Sequence, residues 1–437
     1  MARFTYEGAR SPVLTNRFGR GVFWNLVATA LAQGSVFVAN IVLARLLGKE
    51  VFGELGIVQS TMLTLVSIAQ LATGITATKY VAEFRDADKE RAGRILGFCS
   101  VITFAFGLVA ALTIGLSSDW LAAHILKNER LSSVILIAAP FVLFSAMNGY
   151  QIGALVGLEA YKRLSVLGAG LGLAHIVVCT VAAVNWGLEG AVAGLVLSSL
   201  LRWCVHGLAL SYEARRRNIP IRRTTLTRDG AMLLSFSVPA AISGMTSMAA
   251  IWAGNALLVR QSDGYAQMGL YTAATTIRML VMLTPLIFTN VAMAILNNHR
   301  GNRLYAQYEQ MFWTNVWLNG LIALAAATVI ALTGRLILLL FGAEFQIGYG
   351  ILLVLMAATV PEALAVAVAQ AAQSQQKMWQ ILLFIALPRD VLFLSVALAL
   401  VPSHGALGLA AAYVVGQICA LASVTLLVRS LGITGRT

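Results

Sequence analysis

Charged residues are scarce in this chain: Asp, Glu, Lys and Arg make up 11% of 437 residues, against about 25% in an ordinary soluble domain. That shortage excludes a chain that covers itself with a water-facing surface. Acids are the scarcer sign, 18 against 31 lysines and arginines. There are four cysteines, Cys99, Cys179, Cys204 and Cys419, all inside apolar stretches. They read as small buried hydrophobes, and a disulfide framework is excluded. The five histidines have no metal-ligand spacing. No nucleophile, metal cluster or phosphate-cradling glycine loop is present, so neither an enzyme nor a bound cofactor is expected. The short alternating segments of a transmembrane barrel are also missing.

What fills the chain instead is hydrophobicity, 59% of residues. Apolar runs of about 20 residues recur, the length that crosses a bilayer as helix. The fold class is therefore an all-α polytopic membrane protein of about 12 transmembrane helices. Helices 1–6 are expected near 22–44, 55–78, 95–117, 133–157, 164–184 and 188–210. Helices 7–12 are expected near 231–258, 266–294, 310–333, 346–371, 379–401 and 405–428. The first apolar run is too long for a signal-peptide core and lacks a cleavage pattern, so it stays as helix 1. The organisation is an N-terminal segment (1–21), an N-lobe (22–210), a basic connector (211–230), a C-lobe (231–428) and a C-terminal segment (429–437).

The net charge of +13 belongs to topology rather than to nucleic acid, because basic residues collect in cytoplasmic loops. The termini and the 2–3, 4–5, 6–7, 8–9 and 10–11 loops hold 23 lysines and arginines, with Arg202 counted at the head of the connector. The alternate loops hold 6: Arg45, Lys49, Lys127, Arg130, Arg260 and Arg335. Both termini are therefore expected in the cytoplasm, at the inner membrane. The connector carries Arg215, Arg216, Arg217, Arg222, Arg223 and Arg228.

The two halves echo each other. LARLLGKEVFGELGIV from Leu43 is answered by LVRQSDGYAQMGLYTA from Leu258, 215 residues later. The segments from Gly157 and Gly187 are answered from Ser374 and Gly405, at offsets of 217 and 218. Three matches in the same order at nearly one offset indicate duplication. Six crossings per copy is even, so the copies are parallel repeats about an axis along the membrane normal. Two such bundles face each other across a central cavity that holds the substrate.

RGVFWNLVATALAQGSVFVANIVLARLLGKEVFGELGIVQS, with Arg45, Leu47, Gly48, Phe52 and Gly53 in its turn, resembles the opening of a known group. TATKYVAEFRDADKERAGRIL resembles that group's first cytoplasmic loop. LLSFSVPAAISGM and MGLYTAATTIR resemble the starts of its seventh and eighth helices. The group is the polysaccharide transporter branch, the Wzx-like flippases, of the multidrug/oligosaccharidyl-lipid/polysaccharide exporter superfamily. The resemblance covers essentially the whole chain. It implies two six-helix lobes arranged as a V, moving a polyprenyl-diphosphate-linked oligosaccharide between leaflets. Implied partners are that lipid-linked substrate, membrane lipids, and a glycan polymerase with its chain-length machinery.

Ionisable residues at mid-depth are the sharpest independent signal. Arg278 lies about 18 Å into helix 8 and Arg389 about 15 Å into helix 11, at about 1.5 Å per residue. An arginine there costs about 2.5–3.5 kcal/mol on insertion scales and faces the protein interior or a wet cavity. Its planar fork suits phosphate oxygens. Two readings stand. Arg278 and Arg389 line the cavity and hold the diphosphate or acidic sugars, or they form buried ion pairs. Adjacent helix residues do not face each other, so the ion-pair reading has Asp390 with Arg278, or Arg389 with Glu362. Asp390 is a counter-ion or a proton-coupling acid. Gln33 and Asn40, on one face of helix 1, reach sugar hydroxyls or act as polar glue between helices; Tyr150 and Gln151 on helix 4 have the same two readings. Glu54 reads as interfacial. Pro140, Pro239, Pro285, Pro361 and Pro388 interrupt helices, and Pro388 is placed to aim Arg389. The connector arginines anchor the topology, or gather anionic head groups and the substrate's diphosphate.

Three other functions compete. A glycan polymerase needs a sizeable external loop, and the longest expected runs only from Ser117 to Ser132. A cation-coupled multidrug exporter of the same superfamily commonly carries an acid in helix 1, which has none here. A peptidoglycan-precursor flippase usually has two further helices.

Overall fold

In the bilayer core no water is available to backbone N–H and C=O groups, so each must be satisfied within its own segment. The computed structural model describes residues 12–221, 230–301, 305–374 and 378–430, and among them every regular element is helical. Three continuous elements each contain two helices. Pro12–Gln70 breaks at Gly48 (φ 76°, ψ 168°). Tyr161–Arg216 breaks at Trp186 and Gly187, and Leu387–Ser430 breaks at Gly405. The twelve expected helices are thereby present. Helices 1 and 2 are 12–47 and 49–70, with helix 2 continued by Thr73–Phe84. Helices 3 and 4 are Lys89–Leu116 and Leu131–Gly157, and helices 5 and 6 are 161–185 and 188–216. Helices 7–10 are Gly230–Val259, Gly264–Gly301, Tyr305–Phe341 and Tyr349–Ser374. Helices 11 and 12 are 378–404 and 406–430.

Several expectations need correction. Helix 1 begins by Pro12, well before residue 22. Helix 6 runs on to Arg216, so Arg215 and Arg216 extend the helix rather than opening a polar connector. Arg202 is no part of the connector: it lies midway along helix 6, in the apolar run LSSLLRWCVHGLALSY. Arg222, Arg223 and Arg228 fall outside the described residues. Cys204 is exposed rather than buried, although all four cysteines are free. The stretch after helix 3 is mostly helical, closing in a π turn over Leu121–Leu126.

The duplication is legible in the backbone. Left-handed residues stand at Gly48 and Asp263, Lys127 and Gly342, and Gly187 and Gly405, at spacings of 215, 215 and 218 residues. The last two glycines share φ and ψ almost to the degree, 55° and −130° against 54° and −130°. All six mark turns on one end of the bundle, here called the turn face; the opposite end is the basic face. Helices 5 and 6 close tightly below their turn. A methyl group on Gly190 would overlap the Ala182 carbonyl, and one on Gly194 would lie 2.8 Å from the Cys179 Cα.

The core divides along the membrane normal. One cluster spans both lobes near the turn face, joining Leu43, Phe52 and Ile135 to Leu258, Phe341 and Phe345. Toward the basic face the packing separates into a cluster of the N-lobe alone (Tyr80, Ile95, Tyr150, Leu210) and one of the C-lobe alone (Phe312, Val368, Val424). A shared core that splits in two is the V. Large apolar residues stay outward: Leu116, Leu332 and Trp317 are 89%, 81% and 75% exposed, as a surface solvated by lipid requires.

Candidate functional site

The lobes are fastened at the turn face by small residues and by caps. Helices 2 and 8 cross at Gly53 and Gly269. A methyl group on Gly53 would overlap the Tyr265 carbonyl oxygen, and one on Gly269 would overlap that of Lys49. Each glycine thus meets the carbonyl four residues before the other, a contact with two-fold symmetry between the repeats. Around it, Arg45 Nε donates to the Leu340 carbonyl at 2.6 Å, capping the end of helix 9. The Lys49 amide donates to Glu344 Oε1 at 2.8 Å, and Tyr265 Oη donates to the Leu126 carbonyl at 2.8 Å. Phe37, Phe52, Phe341 and Phe345 pack with ring centroids 5.9–6.5 Å apart along their contacts. Glu54 is interfacial as expected, accepting from Asn128 at 2.8 Å.

Below this seal, helices 2 and 7 run together. Asn255 Nδ2 donates to Ser60 Oγ at 2.8 Å, Trp252 Nε1 to Thr61 Oγ1 at 2.9 Å, and Thr64 Oγ1 to the Met248 carbonyl at 3.2 Å. These contacts line the hinge of the V with polar groups at mid-depth.

The C-lobe charges lie at the same depth, and the structure pairs them differently from the sequence expectation. Arg278 Nη1 donates to Glu362 Oε2 in a short ion pair. Its guanidinium also lies 4.6 Å from the Tyr413 ring centroid. Arg389 Nε donates to Asp390 Oδ1 at 2.8 Å. Ser247 Oγ joins the two, accepting from Arg389 Nη2 and donating to Asp390 Oδ2 at 2.9 Å. The ion-pair reading had Asp390 with Arg278, or Arg389 with Glu362, and neither pair forms. The difference arises because helix 7 supplies, at Ser247, a hydroxyl that bonds both neighbours on helix 11. The π turn Leu382–Ala386 ends two residues before Pro388, a proline without the N–H that an α-helix would use there. Two arginines and two carboxylates leave the C-lobe centre with no net charge. Ser247→Ala removes hydrogen bonds to two charged groups, each worth about 1.5–3 kcal/mol. Its thermal unfolding midpoint is expected to fall by several degrees.

On helix 1, Gln33 is exposed and Asn40 is buried. Among the described residues neither is hydrogen-bonded to the C-lobe charges. Tyr150 is polar glue: its hydroxyl donates to the Leu96 carbonyl at 2.8 Å. Arg202, expected at the head of the connector, lies instead fourteen residues from either end of helix 6.

A family model described as "Polysaccharide biosynthesis protein" matches residues 18–296. The chain belongs to this family. Stage V sporulation protein B of Bacillus subtilis (strain 168) is 25% identical over 187 residues, covering 42% of this chain and 36% of that protein. The match therefore spans about a third of that relative's length. The fold is similar to that of an inward-facing multidrug resistance MATE transporter of the MOP superfamily, with a TM-score of 0.76 at 18% identity over 93% of this chain and 98% of the other. It is also similar to a MOP superfamily transporter from Pyrococcus furiosus described as having a binding pocket of reverse polarity, with a TM-score of 0.72 at 17% identity over 96% of each chain. This member of the polysaccharide biosynthesis family accordingly has a multi-pass, two-lobe, all-α membrane fold like that of those transporters.

Proposed function

We propose that this protein is a transporter that moves a polyprenyl-diphosphate-linked oligosaccharide, a precursor of surface polysaccharide, from the cytoplasmic to the outer leaflet by alternating access. Membership of the polysaccharide biosynthesis family carries the reading. The charge distribution agrees with it. The C-lobe centre is neutral, and the N-lobe adds Arg202 with no acid at mid-depth, so the interior carries an excess of positive charge suited to an anionic substrate. The basic face is the cytoplasmic one in this reading, and the turn face is the sealed outer one. The fastened turn face corresponds to the state that receives substrate from inside. Arg278, Arg389, Asp390, Gln33 and Asn40 are proposed to line the pathway, with the two ion pairs opening to exchange partners with the diphosphate.

The multidrug exporter is the second reading. The partly buried Glu362 and the buried Asp390 favour it, since cation coupling needs such carboxylates. Each, however, already neutralises an arginine.

Two experiments test the proposal. Deleting the gene is expected to remove surface polysaccharide and to accumulate its lipid-linked precursor; unchanged polysaccharide in a strain with no second flippase contradicts it. A reporter fused at Gly187 or Gly405 is expected to read as external, and a cytoplasmic signal there would reverse the topology.

A further inference from the structure

Helices 5 and 6 form an outer wall of the N-lobe, and each turns one apolar stripe away from the protein. On helix 5 the exposed residues are Val166, Leu173, Val177, Val181 and Val184, and on helix 6 they are Leu197, Leu201, Leu208 and Tyr212. Steps of three, four and seven keep each set on one helix face. Val166 and Val184 lie about 27 Å apart along the axis at 1.5 Å per residue, close to a hydrocarbon core of about 30 Å. Both stripes end in an exposed cation on the basic face. Lys162 stands one turn before Val166, and Arg215 follows Tyr212 by three residues. These two charges therefore sit just past the hydrocarbon edge, at the depth of lipid head groups.

One contact draws the two ends together. Arg163 of helix 5 pairs through Nε with Glu213 of helix 6 at 3.2 Å, and its guanidinium lies 4.0 Å from the Tyr212 ring centroid. The pair and the ring hold the guanidinium in place. Among the described residues its terminal nitrogens have no partner, and Lys162, Arg215 and Arg216 make neither ion pair nor hydrogen bond. Glu159, just before helix 5, is taken by Arg85. Four cations thus face one acid, Glu213. At the offset of 217 residues the C-lobe has Trp379 and Gln380 in place of Lys162 and Arg163. The cations are a property of this wall and not of the repeat.

We infer that the basic end of helices 5 and 6 binds an anionic phospholipid of the surrounding bilayer. The Arg163 fork, Lys162 and Arg215 take the phosphodiester oxygens, a geometry that a planar guanidinium suits. Tyr212, 54% exposed, lies at the interface level where tyrosine is enriched, and the two stripes take the acyl chains. A second copy docking here about a two-fold axis would set these cations against themselves. The site is outside the cavity and stands whatever the cavity carries.

The test is native mass spectrometry of the full chain released from nanodiscs of phosphatidylglycerol and phosphatidylcholine in equal amounts. Wild type is expected to retain phosphatidylglycerol over phosphatidylcholine. Lys162→Gln with Arg215→Gln is expected to lose most of that preference, about fivefold for each cation removed. Lys89→Gln with Arg429→Gln takes the same charge from exposed positions elsewhere on the basic face and is expected to keep the preference. In phosphatidylcholine alone the Lys162→Gln, Arg215→Gln variant is expected to unfold at the wild-type temperature, since neither side chain has a partner to lose. Equal retention of the two lipids by wild type overturns the site. An equal loss in both double variants overturns it in favour of unspecific attraction to the basic face. A lower unfolding temperature in phosphatidylcholine overturns it in favour of a structural role. Wild-type dimers in phosphatidylcholine that Lys162→Gln with Arg215→Gln abolishes overturn it in favour of a second copy on this wall.

Discussion

Gly53→Leu is expected to abolish transport while each lobe stays folded. The added side chain would meet backbone, the Tyr265 carbonyl and the Gly269 amide, and backbone cannot rotate away as a side chain can. Helices 2 and 8 must then separate at the one level where the lobes share a core. Overpacking of this kind costs about 1–3 kcal/mol or more. It falls on the closed turn face, because the cores nearer the basic face belong to single lobes. The lobes should splay at the seal and lose the state in which Arg45 caps helix 9 and Tyr265 bonds Leu126. Gly269→Leu is expected to behave in the same way, since the contact is reciprocal. Gly168→Leu is the control: nothing lies within 4 Å of the Cβ that it would gain. Transport in proteoliposomes and the thermal midpoint are the readouts. Full activity in both Gly53→Leu and Gly269→Leu would remove the seal from the mechanism.

Arg278→Ala is the second large effect. It strands Glu362 in the C-lobe interior, and breaking one side of a buried pair costs about 3–5 kcal/mol. Glu362→Ala should cost a similar amount by stranding Arg278. Replacing both, as in Arg278→Met with Glu362→Leu, is expected to recover most of the loss, because a well-packed apolar pair of similar volume is often no less stable than a buried ion pair. The double-mutant cycle isolates the coupling. It also separates two roles that a single substitution confounds. If the pair opens onto the substrate, the double variant is stable and inactive. If the pair is only structural, the double variant is stable and transports.

The helices and the duplication were legible because each rests on a local signal. Apolar runs of bilayer length need only be counted. Gly48, Gly187 and Gly405 mark breaks because each adopts a backbone conformation that L side chains rarely take. The mid-depth arginines 278 and 389 were legible for the same reason, as charges inside apolar runs. Their partners were not, since pairing depends on how helices 7, 8, 10 and 11 are rotated. A hydroxyl on helix 7, Ser247, decides the case of Arg389 and Asp390. Arg202 was misread because its helix runs beyond the expected end, to Arg216. The reciprocal glycine contact could not be read at all. Gly53 and Gly269 are ordinary residues of two glycine-rich turns until the lobes are docked.

The account stands most directly on transbilayer movement in a defined system. The purified chain is reconstituted in proteoliposomes with a fluorescent polyprenyl-diphosphate-linked oligosaccharide, and a membrane-impermeant reductant reports the fraction in the outer leaflet. The expected result is protein-dependent exchange between leaflets that Gly53→Leu eliminates and Gly168→Leu preserves. No exchange of the glycolipid, together with cation-gradient-driven uptake of a cationic dye by the same vesicles, would contradict it and identify the chain as a drug exporter.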